Sequence, residues 1–587
     1  MFQAVTLVDP ARPIPAEWLE AAGIDYVYTS GALSLAADSE GRPVLSDAQQ
    51  ARWEALQAIY GTTNVRVLIM SNYYAHPPEG TEAVDVSGRP LAMACLRSDR
   101  FHSWMHDRIT AQTKAYSAFS VFGGFVFDDG WGTRVDACYC DHCREIFGDT
   151  PPTFAVREGT GIVPDDATEL RWDAFQRQSH ERYIRTQSSA VREVSDDAMM
   201  LTIPSDSFFY GRLLNANLPR EELALSASAL LQRIERMQVR DWHLYQSFPL
   251  PRLPEGDEEG LQPWGIGAHF TADSPKLVLC NEGPFIQHTS RMQMMSPAEI
   301  EQMIRITVVE GAQRMCYWAS GAYTGYHPDG FAAMARVYEE IRPIESLLAS
   351  RTPFPARVGL LYSTTTEVLE QPWRENLSER WQHLHSVEAT AWALRRGGVW
   401  HRIIMESDLP AAAAADLDVL ILPSIRFVSQ AAADALETAM ASGTAVVALG
   451  ETVDIPGATR PAHDVTFWHR CIRDGYRQSS NLDLHYENAE EHLLPLIRSL
   501  SPGPVAVSAQ HSVSALHCVG KDLLLMAANW LRTETDDVVL TAQRPFRITD
   551  AESGEDLGIV SANAKRTVSV PPAGWRVLRV EVMPPCP

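Results

Sequence analysis

The chain has 587 residues, 45% of them apolar and 21% charged, with 35 glycines and 37 prolines. At roughly 150 residues per domain there is room for about three or four domains and a large core, which excludes a single small module, and the composition excludes a disordered or collagen-like chain. Lys and Arg number 50 against 74 Asp and Glu, a formal charge of −24, and no basic run is interleaved with aromatics, so a nucleic-acid partner is not expected.

The opening residues Met1 to Pro10 lack a basic start followed by an apolar stretch and a small-residue cleavage site, so a cytoplasmic location is expected. No window offers about 18 consecutive apolar residues, and no membrane span is expected. Short β-branched or aromatic runs then alternate with stretches of helical period, the pattern of βα units on a parallel sheet. Eight such runs are read as strands: Val5 to Val8, Tyr26 to Thr29, Val65 to Met70, Phe122 to Phe127, Met199 to Ile203, Trp242 to Gln246, Lys276 to Leu279 and Met315 to Trp318. Between them, Ser98 reads as an N-cap ahead of Phe101, Trp104, Met105 and Ile109, and Phe331, Met334, Val337 and Ile341 form one apolar stripe before Pro343. The expected fold of residues 1–352 is a TIM (β/α)8 barrel with insertions, whose C-terminal strand ends carry the chemistry.

After Arg351-Thr352-Pro353-Phe354-Pro355, a Pro-marked boundary, strands are expected at Val358 to Tyr362, Ile403 to Met405, Val419 to Leu422 and Ala445 to Ala448. Helical stretches such as His385 to Arg396 and Ala431 to Met440 separate them, so residues 353–500 read as a flavodoxin-like, doubly wound α/β domain. Its first strand runs into Ser363-Thr364-Thr365-Thr366 rather than a Gly-rich loop, and no nucleotide site is expected. Ala411 to Ala415 reads as a loop or a helix start. Residues 501–587 return to short strands with turns between them, Leu523 to Met526, Val538 to Leu540, Phe546 to Ile548 and Trp575 to Val580, which reads as a β-sandwich.

Nine cysteines in a chain of this length are better tested as metal ligands or core thiols than as a disulfide framework. Three fall in Cys138-Tyr139-Cys140-Asp141-His142-Cys143, and Cys95 lies upstream. Four thiolates close a tetrahedral site, so a structural zinc on Cys95, Cys138, Cys140 and Cys143 is expected; the alternative is a set of reduced, partly buried thiols. A full set of four leaves no open position for catalysis at the metal. His142 could replace one cysteine but reads as an exposed loop residue.

Strand four runs into Asp128-Asp129-Gly130-Trp131, and strand seven into Asn281-Glu282-Gly283. Neighbouring side chains on a strand point to opposite faces, so one of Asp128 and Asp129 is expected to reach a substrate while the other braces the loop. The alternatives are that both aspartates are turn residues and that Glu282 pairs with an arginine. Two carboxylates across a pocket are the apparatus of glycoside hydrolysis. Asp206, in Pro204-Ser205-Asp206-Ser207 after strand five, ranks third, while Asp241 and Glu310 read as strand-start or helix residues. Trp131, Tyr210, Trp264, Trp318, Tyr323 and Tyr326 supply faces on which sugar rings stack, although Trp318, expected inside strand eight, serves equally well as core. His243, His269, His288 and His327 show no metal-ligand spacing.

The order of barrel, α/β domain and sandwich, with Cys95 and then the hook just after strand four, resembles glycoside hydrolase family 42, the β-galactosidase family. Gly124 to Asp129 followed by Cys138 to Phe147 is still more similar to the group termed "hypothetical glycosyl hydrolase 6". The resemblance implies a zinc on these four cysteines and a second domain that trimerises, hence a homotrimer in which a neighbour completes the rim. Family 42 ends strand four in Asn-Glu with the Glu as general acid/base, whereas this chain has Asp128-Asp129. By position relative to the hook, Asp129 corresponds to the acid/base and Glu282 approximates the nucleophile. A shorter Asp at strand four also resembles α-L-fucosidase-like and α-galactosidase-like barrels, where it is the nucleophile, so the two roles are open to exchange and β-galactosidase activity is not carried over.

The expectation is a glycoside hydrolase that removes a terminal sugar from a small oligosaccharide or glycoside with retention. Asp129 or Asp128 and Glu282 form the pair, and Trp131, Asp206, Tyr210, Trp264, Trp318 and Tyr323 shape the pocket. The alternatives are a catalytically weak carbohydrate-binding barrel, and a zinc-dependent hydrolase with an open metal position.

Overall fold

Strands buried on both faces read as unbroken apolar runs, and Val67, Leu68, Ile69, Phe125, Val126 and Phe127 are all fully buried. The computed structural model describes residues 2–6, 13–30, 35–37, 39, 43–73, 77–85, 87–128, 138–152, 158–203, 242–247, 277–281, 296–312, 314–317, 328–370, 382–413, 417–465, 479–529, 531 and 533–583. In it the eight expected runs form a closed barrel. Its parallel strands are Phe2–Thr6, Tyr26–Ser30, Arg66–Ser71, Phe122–Asp128, Met199–Ile203, Trp242–Ser247, Leu277–Asn281 and Arg314–Tyr317, each paired with its neighbour in sequence and the last with the first. The first strand begins earlier than its sequence suggests. The eighth is described from Arg314 to Tyr317, and Trp318, expected inside it, lies outside the described residues.

Local signals start the helices as expected. Ser98 Oγ accepts the Phe101 amide at the head of Asp99–Tyr116, and Ser46 and Gln49 form a reciprocal capping box on Asp47–Tyr60. Phe331, Met334, Val337 and Ile341 are buried along Pro328–Ile341, which passes into a 3-10 turn containing Pro343. Gly124 has φ of 132°, and a Cβ there would lie 1.8 Å from the Met199 carbonyl oxygen. Glycine at that point lets strands four and five approach, which sets the register Ile203 opposite Asp128 at the rim.

A second, four-stranded parallel sheet has the order His401–Met405, Val358–Tyr362, Val419–Pro423, Ala445–Leu449. Helix Leu409–Ala413 takes up the start of the Ala-rich stretch. The chain ends in a sandwich of a six-stranded and a three-stranded sheet, whose facing residues Val507, Leu540, Leu525 and Leu578 share one core. Thr352–Pro353, read from its prolines as a boundary, is itself an edge strand of the larger sheet, antiparallel to Ser512–Val519. Pro is tolerated at an edge because its missing N–H has no ladder to serve.

The barrel, the second sheet and the sandwich meet over buried polar contacts. Arg351 donates to the carbonyls of Val308 and Ala312, and Glu310, just past helix Pro297–Val309, pairs with Arg395 of the second unit. Gln302 donates to the Asn529 carbonyl of the sandwich.

Candidate metal centre and barrel rim

Cys95 leaves the strand Pro90–Ala94 with its amide on the Thr81 carbonyl at 2.8 Å. The Tyr139 amide, inside the hook, reaches the Val84 carbonyl at 2.7 Å, which pins the hook to the hairpin Glu82–Val84/Pro90–Ala94. Cys140 is the N-cap of helix Asp141–Phe147, Cys143 is its third residue, and Gly148 ends it in the left-handed region at φ 72°. His142 therefore stands on a helix rather than a loop; it is exposed, with Nε2 3.3 Å from the Arg97 carbonyl.

Two chain segments so bring four sulfurs together. Sγ–Sγ separations are 3.5 Å for Cys95–Cys143, 3.8 Å for Cys95–Cys140 and 3.4 Å for Cys138–Cys140, and all four lie within 4.8 Å of one another. None of the four is in a disulfide. Thiolates about 2.3 Å from a tetrahedral ion sit about 3.8 Å apart, so the set fits a mononuclear metal. Among the described residues this is the one group of three or more His, Cys, Asp or Glu able to hold an ion. Hydrogen bonds, the one with Cys138 foremost, hold the Cys140 thiol far below its ordinary range, while the same network pushes Cys95 and Cys143 up. The thiols alone thus favour charge on Cys138 and Cys140 at the expense of Cys95 and Cys143; a cation would allow all four to lose their protons.

An aromatic wall backs the sulfurs, unmarked by any motif in the sequence. Tyr139 stacks on Trp172 at 5.3 Å, Trp172 on Phe175 at 5.2 Å, and Phe147 meets Trp172 edge-on at 4.9 Å. Arg97 lies over the Phe175 ring at 4.1 Å and donates to the Phe175 carbonyl and Ser179 Oγ. Trp172 and Phe175 lie three apart on helix Thr168–Arg192, and that spacing was the signal available.

Asp128 is the last residue of strand four, at the C-terminal rim, and Asn281 is the last of strand seven. Asp129, Trp131, Asp206, Tyr210, Trp264, Glu282, Trp318 and Tyr323 lie outside the described residues.

The second sheet has its own C-terminal edge, with the order reversal at which doubly wound units take ligands. There the Glu406 carboxylate accepts from Ser363 Oγ (2.7 Å), Thr365 N (2.9 Å), Thr365 Oγ1 (2.8 Å) and Ser429 N (2.9 Å). His383 bridges the Ser363 amide and the Pro423 carbonyl. The chain's own carboxylate thus takes the place a phosphate would need, consistent with the missing Gly-rich loop.

No protein-family model and no curated protein matches the chain. Among solved structures it is similar to Gan42B, a GH42 β-galactosidase of G. stearothermophilus, with a TM-score of 0.64, 12% identity, and 99% of this chain and 98% of that one covered. The α-L-fucosidase isoenzyme 2 of Paenibacillus thiaminolyticus follows at TM-score 0.61 and 13% identity, covering 99% and 100%. A β-galactosidase of Bacillus circulans sp. alkalophilus has TM-score 0.62 and 12% identity, covering 99% and 98%. Over nearly its whole length, the chain has a fold like that of the GH42 β-galactosidases.

Proposed function

We propose that the protein is a glycoside hydrolase that removes a terminal sugar from a small oligosaccharide or glycoside with retention. The observation that carries the reading is the closed barrel with Asp128 at the rim of strand four and Glu282 next in sequence after the rim of strand seven. Asp129, or Asp128, and Glu282 are the two carboxylates, one protonating the leaving oxygen and the other attacking the anomeric carbon. Trp131, Asp206, Tyr210, Trp264, Trp318 and Tyr323 line the pocket. β-Galactosidases and an α-L-fucosidase share the fold, which therefore leaves sugar and anomer open.

The four cysteines hold a structural zinc, the ion that four thiolates in tetrahedral array suit best. Its contribution is to fix the hook beyond strand four; a closed set of ligands does not favour a zinc-dependent hydrolase. The working form is a cytoplasmic homotrimer. No helix among the described residues is long and apolar enough to cross a membrane.

The test is hydrolysis of aryl α- and β-galactosides, fucosides, arabinosides and glucuronides by the wild type, with the first-formed anomer read by NMR. Turnover of one substrate with retained configuration is expected. Inverted product would overturn retention, and sugar binding without turnover would favour a binding protein.

A further inference from the structure

Helix Thr168–Arg192 faces two ways at its start. Ala167 and Leu170, three apart, pack with Val163 against Leu369 and Phe427 of the second unit. Trp172 and Phe175, also three apart, belong to the core that contains Cys95, Cys138, Tyr139 and Cys143. Leu170 and Trp172 differ by two positions, about 200° around the axis, so the two pairs occupy opposite faces. A single stretch of helix is the wall between the thiols and a seam between two units.

That seam is a two-stranded parallel sheet of Gly161–Val163 with Phe427–Ser429. Gly161 N donates to the Arg426 carbonyl at 2.9 Å, the Arg426 guanidinium to the Gly159 carbonyl at 3.0 Å, and Ala431 N to Asp165 Oδ1 at 3.2 Å. Beneath it the Phe427 carbonyl accepts from Ser363 and Thr366, and the Ser429 amide donates to Glu406. On the thiol side, Arg171 reaches Asp149 at 3.1 Å and lies over the Phe147 ring at 5.2 Å.

We propose that metal loading of the four cysteines and docking of Gly161–Val163 on the second unit are coupled through Leu170, Trp172 and Phe175. The inference rests on the reading that the thiols hold zinc. Zinc fixes the hook and, with it, the positions of Trp172 and Phe175. In a close-packed interior that constrains the opposite face of the same turn, where Leu170 meets Phe427. Such coupling is reciprocal: whatever factor zinc contributes to docking, docking contributes to zinc affinity.

The experiment is hydrogen exchange by mass spectrometry on the full chain, zinc-loaded and after chelation, with zinc content measured in each sample. Amides of 161–163 and 427–429 are expected to exchange at least about fivefold faster without zinc, the lower end of ordinary coupling between sites, while those of Val538, Val539 and Leu540 in the sandwich hold their rates. In Leu170→Ala, which leaves every thiol in place, the seam should exchange fast even with zinc bound. In Phe427→Ala, zinc affinity measured against a chelating dye should fall by the factor seen at the seam. Bound zinc with a seam indifferent to its removal, or unchanged affinity in Phe427→Ala, overturns the coupling alone; a chain that takes up no zinc overturns the metal reading as well. Should chelation expose the sandwich too, the two variants decide, since both are measured with zinc present.

Discussion

The thiol hook and the Glu406 cluster are both buried polar groups at the start of a short helix, yet they are completed by different means. Glu406 receives four donors from its own chain, two hydroxyls and two amides, so its charge is solvated without any guest. The hook gathers four sulfurs whose donors are one another's weak S–H groups and the amides of Cys140 and Cys143, too few to carry four charges. A buried cluster reads as a ligand site when the chain's own groups cannot satisfy it, and as structure when they can.

The sharpest way to break this contrast is to remove one sulfur. Cys143→Ser should abolish metal retention, read by metal analysis, and lower stability by on the order of 4 kcal/mol in thermal unfolding. Glu406→Ala should cost about 3 kcal/mol because it strands several buried donors, while metal content stays at wild-type level. Loss of zinc from that variant would mean that the two clusters are not completed separately.

An intermediate effect comes from pH. Burial pushes His383 and His401 down to about 4 and His463 and His517 to about 3, so each is held neutral. Their folded values lie below the unfolded one, so the stability they contribute is present above about pH 6.5 and lost as pH falls. Burial, against the opposing charges of Arg395 and Arg426, pushes Glu310 up to about 7 and Glu370 to about 8. Their share is lost as pH rises toward those values. Between about pH 4.5 and 6.5 the four histidines outweigh the two glutamates, so stability should peak near pH 6.5 and fall on both sides by on the order of a few kcal/mol, read as a lower thermal midpoint. Glu370→Gln should flatten the alkaline limb. Zinc retention should instead decline steadily with acid, because thiolates must stay deprotonated. The smallest effect is expected for Arg171→Ala, whose partner Asp149 is exposed: about 0.5 kcal/mol or less, with zinc kept.

What the sequence made legible were features carried by neighbours in the chain. Unbroken runs such as Val67 to Ile69 announced barrel strands, Ser98 announced its helix, and the spacing of Cys138, Cys140 and Cys143 announced a cluster able to hold a metal. Glu406, His383 and Ser429 meet only because crossover connections bring strand ends together, and no local pattern records that. The pairing of Gly161–Val163 with Phe427–Ser429 spans more than two hundred and fifty residues of chain and uses strands too short to show periodicity. Thr352–Pro353 likewise pairs with Ser512–Val519 far along the chain, and two residues beside a proline show no strand period. At the rim the sequence placed Asp128 at the end of strand four, where the structure has it.

The measurement that tests the central claim most directly is kcat/KM of wild type, Asp129→Ala and Glu282→Ala on the aryl glycoside cleaved fastest, with folding of each variant confirmed by its thermal midpoint. A carboxylate pair predicts a loss of about 10³-fold in both variants with the midpoint little changed. Activity that survives Glu282→Ala would contradict the pair and move the second role to another carboxylate, Asp206 first.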